Sequence, residues 1–237
     1  MFAVSAMGNR EAGLVNVAAW CVATTALGPG RRSVVWVQGC PFRCRGCIAP
    51  DWIPNRPAEL VDVDALTARL LADPAVDGLT FSGGEPMAQA GPLAAVARRA
   101  RQIREVSLVC FTGYRIAQLR SDPPAPGVAD LLTEIDVLID GPYVEARNDD
   151  VGLRGSANQT VHHLTERLTD CGYDFTGRAR NVEVRIGGDD ENLDVLLVGV
   201  PTRRTRLALS AASARIESRF SVAECLERPH SGGDDEW

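Results

Sequence analysis

The sequence predicts an α/β protein, built as a partial, open TIM-type barrel of parallel strands with flanking helices. Apolar runs rich in β-branched residues recur between Val34 and Ile139 and predict buried strands. Helical patterns separate the later strands, as in βαβ units. Each run also finishes in a polar or glycine-containing motif. Because parallel strands place their carboxyl ends on one edge, these motifs are expected to surround a shared ligand.

Composition limits the classes of protein that this chain can be. It has 237 residues, a hydrophobic fraction of 45% and a net charge of −6, which suits one globular core and argues against a nucleic-acid partner. The sequence has no long apolar stretch and no signal-peptide pattern, so we expect a cytoplasmic protein without a membrane partner. In such a reducing compartment the seven cysteines indicate a metal or catalysis before disulfides.

The first elements in chain order are two strands and a helix. Val15 to Ala23 predicts a strand, and Gly28 to Arg32 is interpreted as a turn with solvated arginines. The next strand begins at Val34 and runs into a loop with three cysteines. Residues 62–71 have the apolar spacing of an amphipathic helix with an acidic residue ahead of it.

The later elements repeat the alternation of strand and helix. A proline-rich linker at 121–127 separates two of them, because proline ends regular structure. In order, the predicted elements are a strand from Gly78, a helix from Leu93 to Ile103, a strand from Val106 to Phe111, a helix from Val128 to Glu134 and a strand from Ile135 to Ile139.

The cysteine loop has the spacing C-x3-C-x2-C, formed by Cys40, Cys44 and Cys47. Iron–sulfur clusters are usually held by four cysteine thiolates, so three cysteines leave one iron without a protein ligand. The alternatives are a zinc site, a disulfide framework and buried thiols. A structural zinc site normally takes four ligands, commonly in two close pairs, and the sequence offers no second pair.

Three further motifs follow later strands and are expected at the same edge. They are Ser82-Gly83-Gly84-Glu85, Thr112-Gly113-Tyr114 and Asp140-Gly141-Pro142. Glycine lets a backbone approach a ligand closely, and a carboxylate suits a primary ammonium group. The alternatives are a glycine turn with an exposed glutamate and an ordinary Asp-Gly-Pro turn.

With these motifs the sequence resembles the radical S-adenosylmethionine (SAM) superfamily. The resemblance implies an oxidoreductase in which Cys40, Cys44 and Cys47 hold a 4Fe-4S cluster and SAM binds the open iron, to be cleaved to a 5′-deoxyadenosyl radical. It implies a SAM site formed by Gly46, Cys47, Ser82, Gly83, Gly84 and Glu85. Thr112 and Asp140 are further candidates for SAM contact because they follow later strands at the same edge, and Asp140 is also a candidate for the substrate side.

The segment GLRGSANQ at 152–159 resembles the R-G-S-x-N-Q segment of the activases of anaerobic (class III) ribonucleotide reductase. Together with S-G-G-E-P and T-G-Y, this resemblance covers residues 34–159. It implies an enzyme that makes a glycyl radical on a large partner and draws its electron from a flavodoxin- or ferredoxin-like donor. Arg154, Asn158 and Gln159 are then candidates for partner or substrate contact. The alternative is a polar loop held by side-chain to backbone hydrogen bonds.

The resemblance implies a radical SAM core at 15–160 and an extension at 161–220. Polar, glycine-containing composition predicts a flexible N-terminus at 1–14 and a mobile tail at 221–237. The activases end soon after the core. In the extension, TVHHLTERL from Thr160 is predicted to be helical, and adjacent histidines on a helix face different directions, so shared metal ligation is not expected. The apolar runs VEVRI and LDVLLVGVP predict a β-hairpin that packs on the core.

Two other functions stay open on the sequence alone. One is a radical SAM enzyme that modifies a peptide or small molecule directly, which the extension and the lysine-free composition favour. An extension that plugs the mouth of the barrel would exclude a bulky protein substrate. The other is a non-enzymatic iron–sulfur or zinc protein, in which the GGE motif is only a turn.

Overall fold

The computed structural model of the chain describes residues 13–188 and 193–212. The N-terminus predicted to be flexible lies almost wholly outside the described residues, and the predicted tail at 221–237 lies wholly outside them. The strands are β1 (Leu14–Thr24), β2 (Arg32–Val37), β3 (Glu59–Asp62), β4 (Gly78–Gly83), β5 (Ser107–Phe111), β6 (Val137–Asp140), β7 (Thr160–His163), β8 (Val182–Gly188) and β9 (Leu193–Gly199). The helices are α1 (Val63–Leu70), α2 (Ala90–Ile103), α3 (Ile116–Ser121) and α4 (Val128–Glu134).

The main sheet has seven strands in the order β3-β1-β2-β4-β5-β6-β7. Its four central strands, β2, β4, β5 and β6, are parallel. Strands β1 and β3 join one edge and β7 the other, all antiparallel to their neighbours. The prediction of an α/β protein with flanking helices is confirmed. The predicted parallel arrangement holds for the four central strands, whereas the outer strands β1, β3 and β7 are antiparallel.

Helices α1, α2 and α4 contribute to the apolar core on one face of this sheet. The aspartate ahead of α1, Asp62, caps it by accepting a hydrogen bond from Ala65 N at 2.9 Å, and this satisfies a backbone donor that the helix leaves free. Leu66 and Leu93 are fully buried in the core beside Phe81 and Leu138 of the sheet. Each helix therefore contributes its apolar stripe, as the sequence spacing predicts.

The opposite face of the sheet has a second apolar core. Its sheet residues include Trp36 and Val109, and alternation along a strand sends them away from the helices. The remainder comes from later in the chain and includes Leu168, Phe175 and Val198. The segment after β7 thus covers this face.

The helix predicted for TVHHLTERL is wrong. Residues Thr160–His163 form strand β7, with Val161 opposite Ile139 of β6. The free edge of β6 offers unpaired backbone donors and acceptors, and the β-branched Thr160 and Val161 suit a strand. The two histidines point to opposite sides of that strand.

The prediction that the arginines of the 28–32 turn are solvated is also wrong for Arg32. This side chain is fully buried and donates to Thr80 Oγ1 at 2.8 Å and to Ser107 Oγ at 2.8 Å. It also donates to the carbonyls of Leu79 and Ser107. Burial lowers the pKa of Arg32 to about 10. The guanidinium ties β2 to β4 and β5 near their amino ends.

Strands β8 and β9 form an antiparallel hairpin with Val184 opposite Leu197. They make a sheet of their own and do not join the main sheet. The predicted turn at 187–192 lies mostly outside the described residues. Thr25, just after β1, donates its backbone N–H to Glu183 Oε1 at 2.8 Å, which links the hairpin to the end of β1.

The chain from Pro201 onward forms a second compact unit. Within it, residues 203–212 are helical, and Thr202 Oγ1 accepts a hydrogen bond from Thr205 N at 3.1 Å, which is the arrangement of a helix N-cap. In the part of the chain that the structure describes, no helix combines the length and the apolar character needed to span a bilayer.

Candidate functional site

The cysteine loop and the GGE turn leave neighbouring parallel strands and are joined backbone to backbone. Gly84 N donates to Val37 O at 2.7 Å, and Glu85 N donates to Gly39 O at 2.9 Å. A Cβ on Gly84 would lie 2.2 Å from Gly39 O. Gly83 has φ +107°, and a Cβ there would lie 2.4 Å from Val37 N. Both positions therefore require glycine.

The cysteine loop is held at its base by the chain that follows it. Gly39 N donates to Trp52 O at 2.9 Å, and Cys40 N donates to Ile53 O at 3.0 Å. Cys40, Cys44 and Cys47 are all free thiols of intermediate exposure. Burial raises the pKa of Cys40 to about 11 and also raises the pKa of Cys44. A bound metal centre would reverse this, because metal coordination deprotonates a thiol.

Three thiols are a donor set that fits an iron–sulfur cluster. Among residues 13–188 and 193–212, no three His, Cys, Asp or Glu side chains are grouped to share one metal ion. Ligands of a 4Fe-4S cluster need not converge on one point, because each thiolate binds a different iron. Three thiols on one loop at the edge of the sheet meet that requirement.

Glu85 is buried, contrary to the alternative of an exposed glutamate. Its side chain is 1% exposed and accepts hydrogen bonds from Met87 N at 2.9 Å, Thr112 Oγ1 at 2.8 Å and Gly113 N at 2.8 Å. Burial raises the pKa of Glu85 to about 7, although these hydrogen bonds act in the opposite direction. The carboxyl group joins the turn after β4 to the turn after β5.

The Thr112-Gly113-Tyr114 turn also contacts the cysteine loop. The ring of Phe42 lies edge-on to Tyr114 with centroids 4.8 Å apart. A Cβ on Gly113 would lie 2.6 Å from the Phe42 ring. The first three predicted motifs are therefore brought together at one edge of the sheet.

In the fourth motif, Asp140 is bonded to the two residues that directly follow the third motif. This carboxylate is 2% exposed, and it accepts hydrogen bonds from Ile116 N at 2.7 Å and from the Arg115 guanidinium at 3.4 Å. His162 Nε2 lies 3.0 Å from Asp140 Oδ2 but is not aligned as a hydrogen bond. No pattern in the sequence predicts these contacts. The Ile116 and Arg115 contacts tie β6 to the start of α3.

The RGSANQ segment folds back on the Asp-Gly-Pro turn. Asn158 Nδ2 donates to Pro142 O at 2.8 Å, and Gln159 Nε2 donates to Gly141 O at 2.7 Å. Arg154 pairs with Asp149 at 2.9 Å. This geometry is that of the polar loop held by side-chain to backbone bonds. Contact of these residues with a partner or substrate remains a prediction.

Sequence reasoning missed the contact of Glu145 with the cysteine loop. Gly46 has φ +70°, and a Cβ there would lie 2.5 Å from Glu145 Oε1. Arg45 Nε lies 3.5 Å from Glu145 Oε2. Residues so far apart in the chain share no local pattern, so no signal in the sequence indicates this contact.

Comparison with known proteins adds the following similarities. Residues 26–162, more than half of the chain, match the family model of the 4Fe-4S single cluster domain. A Vibrio cholerae protein named anaerobic ribonucleoside-triphosphate reductase-activating protein is 33% identical over 148 residues, which cover 58% of this chain and 91% of that protein. The Escherichia coli K12 protein of the same name is 30% identical over 151 residues, with the same two coverages. The pyruvate formate-lyase-activating enzyme of Staphylococcus epidermidis is 39% identical over 71 residues, or 27% of this chain and 28% of that enzyme.

Proposed function

The chain belongs to the 4Fe-4S single cluster domain family, and from that premise we propose that it is a radical SAM activase that generates a glycyl radical on an anaerobic ribonucleotide reductase-like partner. The names of its relatives support this function. One structural observation carries the assignment of the site. The three-cysteine loop and the GGE turn are hydrogen-bonded to each other at the carboxyl edge of parallel strands, where α/β proteins bind ligands.

In this proposal Cys40, Cys44 and Cys47 are the cluster ligands. When bound, the cluster and SAM supply radical chemistry, in which one electron cleaves SAM to methionine and a 5′-deoxyadenosyl radical that takes a hydrogen atom from the substrate. The chain's own residues orient the reactants and limit the access of water. The loop base at Gly39 and Cys40 is fixed by backbone bonds, which supports a defined position for the thiolates.

The proposed SAM site follows the turns at the same edge. The positive φ of Gly83 and the close contact at Gly84 support an approach of the backbone to the ligand. The hydrogen bond between Thr112 and Glu85 holds the second and third turns together. These two residues are therefore proposed to fix the shape of the SAM site as well as to contact SAM. Further SAM contacts are proposed for Gly46, Cys47, Ser82 and Asp140.

The partner, the electron donor and the barrel belong to the same proposal. A glycine of a reductase-like protein is the hydrogen donor, and a flavodoxin- or ferredoxin-like protein supplies the electron. Arg154, Asn158 and Gln159 would face that partner.

The sheet is proposed to curve as a partial, open TIM-type barrel, which leaves a lateral entrance for a macromolecular substrate. The six free thiols in the described residues support a cytoplasmic location.

Direct modification of a peptide or small molecule is a second candidate function. Its support is the segment after β7, whose Leu168, Phe175 and Val198 share a core with Trp36 on the face of the sheet away from the helices. Protein side chains occupy space there that a bulky substrate would otherwise use. This favours a narrow substrate segment over a large folded surface.

Anaerobic reconstitution with iron and sulfide tests the cluster and SAM together. Reduced wild-type protein given SAM should release 5′-deoxyadenosine, measured by chromatography, because only a cluster with an open iron cleaves SAM reductively. Cys44→Ala should lose this product, whereas Cys171→Ala, at an exposed thiol, should retain it. A wild-type protein that binds only zinc, or a Cys44→Ala variant that still forms 5′-deoxyadenosine, would contradict the function.

The choice of substrate needs a second measurement. The reduced enzyme with SAM should produce a glycyl-radical electron paramagnetic resonance (EPR) signal on an added anaerobic ribonucleotide reductase. The matched control is the same reductase with its radical glycine replaced by alanine. Release of 5′-deoxyadenosine without any glycyl-radical signal would favour the second candidate function.

A further inference from the structure

Arg180 belongs to the segment beyond residue 162, where the family match ends, yet it is inserted into a loop of the matched region. Its side chain is 1% exposed. The guanidinium donates to Asn148 Oδ1 at 2.9 Å and to Arg154 O at 2.8 Å, and Nε donates to Gly152 O at 3.3 Å. Only arginine offers five donors in one rigid plane, which suits a loop that presents several carbonyl groups.

The backbone beside Arg180 holds the same loop. Gly152 N donates to Arg178 O at 2.8 Å, and Leu153 N donates to Phe175 O at 2.7 Å. Val151 and Ala179 form an isolated antiparallel bridge. We call residues 175–180 the clamp and residues 148–159 the clamped loop.

The clamped loop in turn holds residues 141–147. Ser156 Oγ accepts a hydrogen bond from Val144 N at 3.1 Å, and Ala157 N donates to Arg147 O at 2.8 Å. Asn158 holds the carbonyl of Pro142. These bonds place the turn at 141–147 against its neighbour on the other side, which is the cysteine loop.

The turn at 141–147 contacts two positions of the cysteine loop. Arg45 Nε lies 3.5 Å from Glu145 Oε2. Glu145 lies beside Gly46 so closely that a Cβ on Gly46 would be 2.5 Å from Glu145 Oε1. A continuous series of hydrogen bonds and contacts therefore runs from Arg180 to the cysteine loop.

We infer that Arg180 is a positioning residue for the cluster, which it influences through the clamped loop and the 141–147 turn. This inference rests on the proposed function, in which the cysteine loop holds a 4Fe-4S cluster. Groups behind the ligands of a metal centre orient those ligands. In this chain that task falls to a residue outside the family match, so the clamp at 175–180 is part of the machinery of the site.

Arg180→Lys is the main test, since lysine keeps the charge but loses the planar set of donors. With an iron chelator present, the cluster absorbance of the reconstituted variant should decay about tenfold faster than that of wild type. Loss of a group that orients metal ligands weakens metal binding by about 10- to 100-fold, and the expected effect is at the lower end of that range. The matched control is Arg120→Lys. Arg120 is exposed on α3 and lies outside the clamp and the clamped loop, so the control should match wild type.

Hydrogen exchange in the cluster-free protein provides a readout that does not depend on the cluster. The amides of Val144 and Ala157 should exchange faster in Arg180→Lys, because each of their hydrogen bonds joins the clamped loop to the 141–147 turn. The Gly113 amide, which Glu85 holds, should be unchanged and serves as the internal reference for correct folding.

Ser156→Ala keeps the test valid if Arg180→Lys does not fold. It preserves Arg180 and removes only the acceptor of Val144 N, and it should also accelerate cluster loss. Wild-type rates of cluster loss in a folded Arg180→Lys or in Ser156→Ala would overturn this inference and leave the proposed function intact. A wild-type protein that takes up no cluster would overturn the proposed function. Unchanged exchange at Val144 in cluster-free Arg180→Lys would overturn the clamp itself.

Discussion

Glu85 combines burial with three hydrogen bonds in a way that makes its ionisation matter to the fold. Its carboxyl group accepts from Met87 N, Thr112 Oγ1 and Gly113 N, so it connects two of the turns of the site. Burial nevertheless raises its pKa from 4.5 to about 7, because desolvation disfavours the charged form more than the hydrogen bonds stabilise it.

The stability of the cluster-free protein should therefore depend on pH through Glu85. Between pH 4.5 and about 7 the folded state holds a proton that the unfolded state has lost. The contribution of Glu85 to the free energy of unfolding is fully present below pH 4.5 and is lost as pH rises to 7, with a change of about 3 kcal/mol. Urea unfolding at a series of pH values measures it. The dependence should weaken in Glu85→Gln and persist in Glu105→Gln, at an exposed carboxylate.

At Gly84 the absence of a side chain allows the close contact between the GGE turn and the cysteine loop. Gly84→Ala would place a methyl group 2.2 Å from Gly39 O and 3.0 Å from Trp52 O, and backbone atoms cannot yield as a flexible side chain can. We expect a loss of about 2 kcal/mol in the free energy of unfolding and a reduced iron content after reconstitution.

The matched control for Gly84→Ala is Gly91→Ala in α2, where a new Cβ would lie 3.7 Å from Pro126 O, an ordinary van der Waals contact. Gly91 lies in the first turn of α2, and alanine there loses less backbone entropy on folding than glycine, so this variant should be neutral or stabilising and should keep its iron. Equal iron contents in the two variants would show that the contact of the two turns is not needed for cluster binding.

Among the helices and strands, the sequence predicted those whose conformation depends on neighbouring residues in the chain. The apolar spacing and the acidic start of 62–71 predicted α1, and the observed helix begins directly after Asp62. Strand β7 was missed because Thr160–His163 is short, and its conformation is set by pairing with the edge of β6, a contact that no local window contains. Arg32 was missed for a similar reason, since its acceptors Thr80 and Ser107 come from other strands.

The cap of α1 gives a test at this scale. Asp62→Ala removes the acceptor of Ala65 N, and we expect a loss of about 1 kcal/mol in the free energy of unfolding, the usual effect of removing an N-cap. Asp62→Asn retains an acceptor oxygen and should stay close to wild type. Thermal or urea unfolding of the two variants measures the difference. Equal losses of stability in the two variants would mean that Asp62 acts through its charge and that its capping hydrogen bond contributes little.

For the site, sequence spacing alone predicted which turns meet, but not how they are joined. Parallel strands bring their carboxyl ends to one edge, and the cysteine loop, the GGE turn and the Thr112 turn do meet there. The buried state of Glu85 and the contact of Glu145 with Gly46 depend on packing between segments far apart in the chain. Such contacts become visible only when the fold is known.

At the scale of the molecule, the segment after β7, up to Val200, is part of the same compact unit as the family core. Phe175 is 4% exposed and packs on Tyr173 with ring centroids 4.8 Å apart and on His163 with centroids 5.4 Å apart. It shares an apolar core with Trp36 of β2. Removing apolar contacts from this core should therefore weaken the sheet itself, even though Phe175 lies outside the family match.

Phe175→Ala should lower the free energy of unfolding by about 3 kcal/mol, as large-to-small changes of buried aromatic residues do. Tryptophan fluorescence and far-ultraviolet circular dichroism should report one shared transition in urea, because a joint core unfolds cooperatively. Ile186→Ala, at a side chain 70% exposed on the hairpin, should leave the midpoint unchanged. Two separate transitions, with only the earlier one shifted by Phe175→Ala, would mean that the segment after β7 folds apart from the sheet. Its packing would then have no bearing on which substrates reach the site.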